Sequence, residues 1–253
     1  MQEASYNYIH ISAASSDKFV VIQLRRFYVW LGFAYVTCCL KNKYIYTYYC
    51  IERYNRVDLH LAGIATGSVY NDVILKQHGF PGEGVRDGRV VMVKTHEWGS
   101  EHRHAFSRAV LLIRDPFDSL MAEFNRRNGG HRGHALPHDF TKGWQTYVSL
   151  QARGWVDMNT DWLKFDGSLL IMQYRDLQTN MLNETRRLFN FLGMRVTDPE
   201  LVCMIANAHG NFKRPKVQVS PQVPYTSFMR STIRNYIQNV TDEIQNYYKL
   251  RKS

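Results

Sequence analysis

Two apolar runs in this chain stop abruptly at charged residues. Val90-Val91-Met92-Val93 gives way to Lys94-Thr95-His96-Glu97, and Ala109-Val110-Leu111-Leu112-Ile113 gives way to Arg114-Asp115-Pro116. A short β-branched run without alternation is how a strand reads when both of its faces are covered, as in a parallel sheet flanked by helices. The charged residues then fall at strand C-termini, where open α/β sheets bind their ligands. The pattern predicts an α/β fold with a three-layer parallel sheet flanked by helices, in which 90–93, 110–113 and 169–173 are interior strands. Lys94, His96 and Arg114 are expected to converge beyond the strand ends.

A third run supports this reading. Ser168-Leu169-Leu170-Ile171-Met172-Gln173 closes in Tyr174-Arg175-Asp176-Leu177, and a helical stretch behind it carries Leu188, Phe189, Phe191 and Leu192 before Gly193. In kind and order, a strand ending in Lys-Thr-His, one ending in Arg-Asp-Pro and one closing in Tyr-x-Asp-Leu resemble the sulfotransferases that use 3′-phosphoadenosine 5′-phosphosulfate (PAPS). Four segments narrow the resemblance to the WSC-domain-containing branch: Ala65-Thr66-Gly67-Ser68-Val69-Tyr70-Asn71-Asp72, Lys94-Thr95-His96-Glu97, Ala122-Glu123-Phe124-Asn125-Arg126 and Gly130-His131-Arg132-Gly133-His134-Ala135. The likeness runs from about Leu59 to the C-terminus.

The resemblance implies a P-loop-like sulfotransferase fold, PAPS as cofactor, a carbohydrate acceptor such as a sialylated glycan, and a Golgi membrane location with a lumenal catalytic domain. It also implies that Arg114 holds the 3′-phosphate and that Tyr174 lies near the adenine. In the same way, Lys213 and Arg214, in the basic run Asn211-Phe212-Lys213-Arg214-Pro215-Lys216, belong to a loop over the cofactor.

The chemistry asks for the same residue types. Sulfuryl transfer needs a base for the acceptor hydroxyl and positive charge on the oxygens that gain negative charge. His96 suits the first task, because an imidazole with an ordinary pKa of about 6.5 is poised at neutral pH. Glu97 is the rival base. Lys94 suits the second task as a compact point charge, and the planar fork of Arg114 matches a phosphate. Each has a plainer reading: a histidine hydrogen-bonding at a strand end, a lysine capping a strand, an arginine paired with Asp115 or Asp118, a packed core tyrosine at Tyr174. Arg126, His131, Arg132 and His134 are candidates for acceptor contacts.

Two departures from the family pattern bear on function. A Pro/Gly-rich loop holding the 5′-phosphosulfate should fall near 49–56, but the chain reads Tyr49-Cys50-Ile51-Glu52-Arg53-Tyr54-Asn55-Arg56, without the glycine that close backbone approach needs. Ala122 stands where many sulfotransferases have a serine on the 3′-phosphate. Residues 1–55 therefore read as a divergent N-terminal segment, a replacement for anchor and stem, ahead of a sulfotransferase-like domain at 56–253; 44–49 is a candidate for the missing first strand. The apolar stretch 27–40, closed by Lys41 and Lys43, is shorter than the roughly 20 residues of a membrane-spanning helix, so membrane association is expected only through this segment. A second function class follows from the missing loop: a sulfotransferase-fold protein that binds anionic glycans without turnover.

Composition narrows the remaining choices. At 253 residues the chain suits one α/β domain, and its formal net charge of +10 favours anionic ligands. No nucleic-acid partner is expected, since no recognition helix, zinc finger or aromatic RNA-binding strand is evident. There is no G-x-x-x-x-G-K-[ST] sequence of an NTPase. Cys38, Cys39, Cys50 and Cys203 form no metal-binding spacing, so no metal is expected. Asn183-Glu184-Thr185 and Asn239-Val240-Thr241 are glycosylation sequons. Helices are expected over 118–127, after Pro116, and over 228–248, with Trp144, Tyr147, Leu150 and Trp155 as core positions on a third and a Gly/His-rich loop at 129–138.

Overall fold

Unalternated apolar strands need cover on both faces, and the sheet supplies it. The computed structural model describes residues 19–23, 66–77, 82–86, 90, 92–130, 133–206 and 225–251. Among them, β1 (Phe19–Gln23), β2 (Thr66–Ser68), β3 (Met92–Thr95), β4 (Arg108–Ile113) and β5 (Ser168–Gln173) form one sheet in the order β2-β3-β1-β4-β5, with every pairing parallel. The described helices are α1 (Val73–Gln77), α2 (Ser100–His104), α3 (Pro116–Gly129), α4 (Pro137–Trp162), α5 (Tyr174–Thr179), α6 (Met181–Phe191), α7 (Asp198–Ala206) and α8 (Ser227–Leu250).

Strand β4 shows the layering. Ala109, Leu111 and Ile113 pack on one face against Trp155, Val156, Met158 and Trp162 of α4 and Val240 of α8. Val110 and Leu112 pack on the other, against Leu177 of α5, Leu188 of α6 and Leu192 just after it. Helices thus cover both faces, as expected of a three-layer α/β fold. A further cluster joins Leu120 and Phe124 of α3 to Trp144, Tyr147 and Val148 of α4 and Met229 and Ile233 of α8, which fixes α3 to the side of the sheet.

Three expectations need correction. Phe19–Gln23, not 44–49, fills the central position between β3 and β4. The run Val20-Val21-Ile22 brings no polar atom to a strand with neighbours on both sides, whereas each tyrosine of 44–49 brings a hydroxyl that needs a partner. Residues 44–56 lie outside the described residues; β1 itself lies before residue 55, within the segment read as divergent. The second correction is β5, which is the edge of the sheet among the described strands. Continuous apolar character reports covered faces, not paired edges. Around that edge the end of α8 closes in, with Tyr247 Oη donating to the Leu169 carbonyl at 3.5 Å and Arg251 donating to that of Gly167 at 3.0 Å. The third is Leu150, which is 65% exposed because it lies about 240° around α4 from Trp144 at 3.6 residues per turn.

Trp162 is fully buried among Phe165 and the sheet residues, and its indole also reaches the end of β3. Trp162→Ala should cost about 3–5 kcal/mol, the range for deleting a buried aromatic. Urea unfolding monitored by circular dichroism checks this, and the melting temperature should fall by roughly 2–4 °C for each kcal/mol lost in a domain of this size.

Candidate active site

The sheet order points to the C-terminal ends of the strands as the place for a ligand. The chain visits β2 and β3 on one side of β1, then crosses to β4 and β5 on the other, so the C-terminal end of β1 lies at the reversal where open α/β sheets bind ligands. The residues following β3 and β4 border that point from opposite sides. Lys94 and Val110 both pair with Val21, so Arg114 lies four residues further along the strand direction. At the usual rise and spacing, that puts Arg114 roughly 13 Å beyond Lys94 along the sheet and about 10 Å to the side. The two backbone positions are therefore offset both along and across the sheet.

Lys94 is held by a residue that the sequence reading passed over. Its Nζ lies 3.3 Å from Oε1 of Glu83, whose side chain is 3% exposed. The other oxygen of Glu83 accepts the Asp72 amide at 3.3 Å. Burial pulls the lysine below its ordinary pKa, and the Glu83 carboxylate opposes that by favouring the ammonium. Glu83 is carried between Gly82 and Gly84, with Gly84 at φ +82° and a parallel bridge from Glu83 to Ser68 at the end of β2. The readable signal was a lone carboxylate between two glycines in Pro81-Gly82-Glu83-Gly84.

His96 and Glu97 follow directly on β3. His96 is buried, and its ring stacks on Tyr70 with centroids 5.2 Å apart and planes at 23°. Its backbone amide donates to Tyr70 Oη at 2.9 Å, and that hydroxyl donates to Glu97 Oε1 at 2.8 Å. Burial first, and the Glu97 hydrogen bond second, push the Tyr70 phenol well above its usual range, so it remains a neutral donor. Glu97 thus has a carboxylate oxygen committed to Tyr70, and its carbonyl accepts the Trp162 indole N–H at 3.0 Å. Arg103 and Gly99 both bond Asp161 of α4, which ties the segment after the site to the same helix.

Arg114 follows β4 beside Tyr174, which follows β5; Ile113 and Gln173, the preceding residues, are register partners. Its guanidinium lies 4.9 Å from the Tyr174 ring centroid, and its Nε is buried with no hydrogen-bond partner. No carboxylate forms an ion pair with it among the described residues, because Asp115 instead caps α3 by accepting the amides of Phe117 and Asp118. Tyr174 is buried, and desolvation raises its phenol pKa, so it offers a flat neutral ring. A buried N–H without a partner among the described residues is rare enough to call for an acceptor from outside them. Trp155 of α4 fixes the backbone here by donating to the Arg114 carbonyl at 3.1 Å.

The candidate acceptor residues divide. Arg126 is bound through two nitrogens, each at 2.7 Å, to the fully buried carboxylate of Glu123, which Arg127 also meets at 3.0 Å. This network is a structural use of Arg126. Ala122 packs against the core beside the sheet. His131, Arg132, Lys213 and Arg214 lie outside the described residues. Among those described, no group of three or more His, Cys, Asp or Glu could hold a metal, and no helix is long and apolar enough to cross a membrane.

No family model matches the chain. It is, however, 43% identical over 178 residues to "WSCD family member CG9164" of Drosophila melanogaster, an alignment covering 68% of this chain and 56% of that protein. It is 42% identical over 177 residues to "WSCD family member GA21586" of Drosophila pseudoobscura pseudoobscura, and 39% identical over 176 residues to "WSCD family member AAEL009094" of Aedes aegypti. The chain spans a little over half the length of these curated relatives, 55–56%. Among solved structures, that of mouse sulfotransferase SULT7A1 complexed with PAP matches with a TM-score of 0.52 at 15% identity, over 93% of this chain and 87% of that one. The fold is therefore that of a sulfotransferase. Over the shared residues, the chain belongs to the WSCD family.

The pairing of Lys94 with Glu83 makes a prediction that needs no ligand. Glu83→Ala should destabilise by on the order of 3 kcal/mol, because it leaves a largely buried cation without its partner. Lys94→Met on that background should recover most of the loss, since a charge that is absent needs no partner. Urea titrations of the wild type, Glu83→Ala, Lys94→Met alone and the double variant measure the coupling directly.

Proposed function

We propose that this protein is a PAPS-dependent sulfotransferase acting on a carbohydrate hydroxyl. The observation that carries the reading is the two-level arrangement about β1, with Lys94 and His96 at the end of one neighbouring strand and Arg114 following the other, further out. That spacing suits a nucleotide with a 3′-phosphate at one end and a phosphosulfate at the other. The unpartnered Nε of Arg114 and the Tyr174 ring beneath its guanidinium fit the 3′-phosphate end. The fold and the WSCD relatives support the same class.

Each residue then has a task. When bound, PAPS supplies the sulfuryl group and departs as PAP. His96 takes the acceptor hydroxyl proton on its imidazole, and Lys94 places positive charge near the oxygens that gain negative charge. Arg114 holds the 3′-phosphate and Tyr174 packs near the adenine; Lys213 and Arg214, outside the described residues, are assigned to the cofactor by resemblance alone. Glu97 acts through Tyr70 rather than as the base, because its carboxylate already accepts the phenol. The net charge of +10 favours anionic acceptors, sialylated glycans among them. Residence in the Golgi lumen, with membrane association through residues 1–55, is part of this proposal.

Transfer of radiolabelled sulfate from PAPS to a panel of sialylated and neutral glycans tests the reading. His96→Ala should lower the rate roughly 10²- to 10⁴-fold, the usual contribution of a general base. By calorimetry, Arg114→Ala should weaken PAP binding by about 2–3 kcal/mol, the scale of a lost charge-assisted contact. Absence of turnover together with glycan binding that His96→Ala leaves intact would establish the binding protein in place of the enzyme.

A further inference from the structure

Beyond the residues assigned above lies the loop that follows β2, Val69-Tyr70-Asn71-Asp72. It is unusually well tied to the neighbouring strand for so short a segment. The Val69 amide donates to the Lys94 carbonyl at 3.1 Å, and Tyr70 donates its own amide to Ser68 Oγ at 3.1 Å. Asp72 closes the loop by accepting the Leu75 amide at 3.1 Å, while its own amide goes to Glu83. The backbone carrying Tyr70 is thereby fixed against the end of β3.

The Tyr70 side chain is fixed as well. Its hydroxyl has one proton to give and gives it to Glu97, while it accepts the His96 amide on the other side. With both roles filled by the two residues that follow Thr95, the hydroxyl sets where the ring can lie. That ring is the one against which the His96 imidazole stacks, at a separation within the favourable range for offset aromatic pairs. A group that must meet a substrate proton depends on a held orientation.

We infer that Tyr70 is a positioning residue for His96: it fixes the imidazole by stacking and pins the backbone beneath it, and Glu97 serves by orienting the phenol. The inference rests on the proposal that His96 is the base, but its geometry can be tested without turnover. Tyr70→Phe keeps the ring and removes the hydroxyl; Tyr70→Leu removes both.

The experiment uses the full chain labelled with ¹⁵N-histidine, with the His96 imidazole signals assigned by their loss in His96→Ala. Tyr70→Leu should move the His96 ring-proton signals downfield as the ring current is lost, with the other histidines unmoved. Tyr70→Phe should broaden or split the His96 signals. In transfer assays Tyr70→Phe should lower kcat about 10- to 100-fold, the scale of a small misplacement, with KM for PAPS within about twofold. On a His96→Ala background the same change should cost nothing more. Unmoved His96 signals in both variants would overturn the inference, as would an equal loss of rate with and without His96. If the signals move as expected but the wild-type chain transfers no sulfate, positioning by Tyr70 stands and the sulfotransferase reading falls.

Discussion

Two indole hydrogen bonds from one helix hold the site together. Trp155 and Trp162 are seven residues apart on α4, two turns along the same face, and each is buried against the sheet. Their N–H groups donate to the carbonyls of Arg114 and Glu97, the residues just past the ends of β4 and β3. Those carbonyls have left the sheet ladder, where a buried acceptor without a partner would be costly. A single rigid helix thus sets the relative position of the two strand ends that carry the cations. The remaining features of the site hang from those ends: Tyr70 and Glu83 around β3, Tyr174 and the start of α3 around β4.

Charge at the site is arranged in two different ways. Lys94 is paired within the chain with a buried carboxylate, which favours the ammonium and opposes the desolvation that lowers its pKa. Arg114 is instead left with an aromatic ring and an unsatisfied nitrogen, and the carboxylate next to it in sequence is spent on capping α3. On the proposed reading, that difference leaves the Arg114 side more open to an anion than Lys94, which Glu83 already engages.

A fold shared at 15% identity with the SULT7A1 structure conveys architecture rather than chemistry. What links this chain to a reaction is the strand-end residues themselves, and their separation is as informative as their identity. A pair of cations in contact would have read as a single-anion site. The backbone register offsets Lys94 and Arg114 along and across the sheet, with the central strand β1 between them; on the proposed reading that offset suits an elongated ligand.

The layering and the strand-end cations were legible in the sequence, because unalternated apolar runs have one inexpensive home and charges cannot lie inside it. Pro116 likewise announced the start of α3, because its fixed φ suits the first helical turn. Leu150 misled because a spacing that nearly matches the helical period still drifts off the buried face. The place of β5 at the edge and the choice of Phe19–Gln23 for the centre were not legible: pairing between strands is set by which crossovers pack, not by the composition of any one strand. For the same reason the sequence offered Lys94, His96 and Arg114 but neither their partners nor their spacing. Glu83, Tyr70 and Trp162 lie 11, 26 and 65 residues from the groups they hold. Contacts at such separations exist only once the chain has folded, so the sequence by itself determined the layers and the chemical types at the strand ends, and the tertiary structure alone decided what faces them.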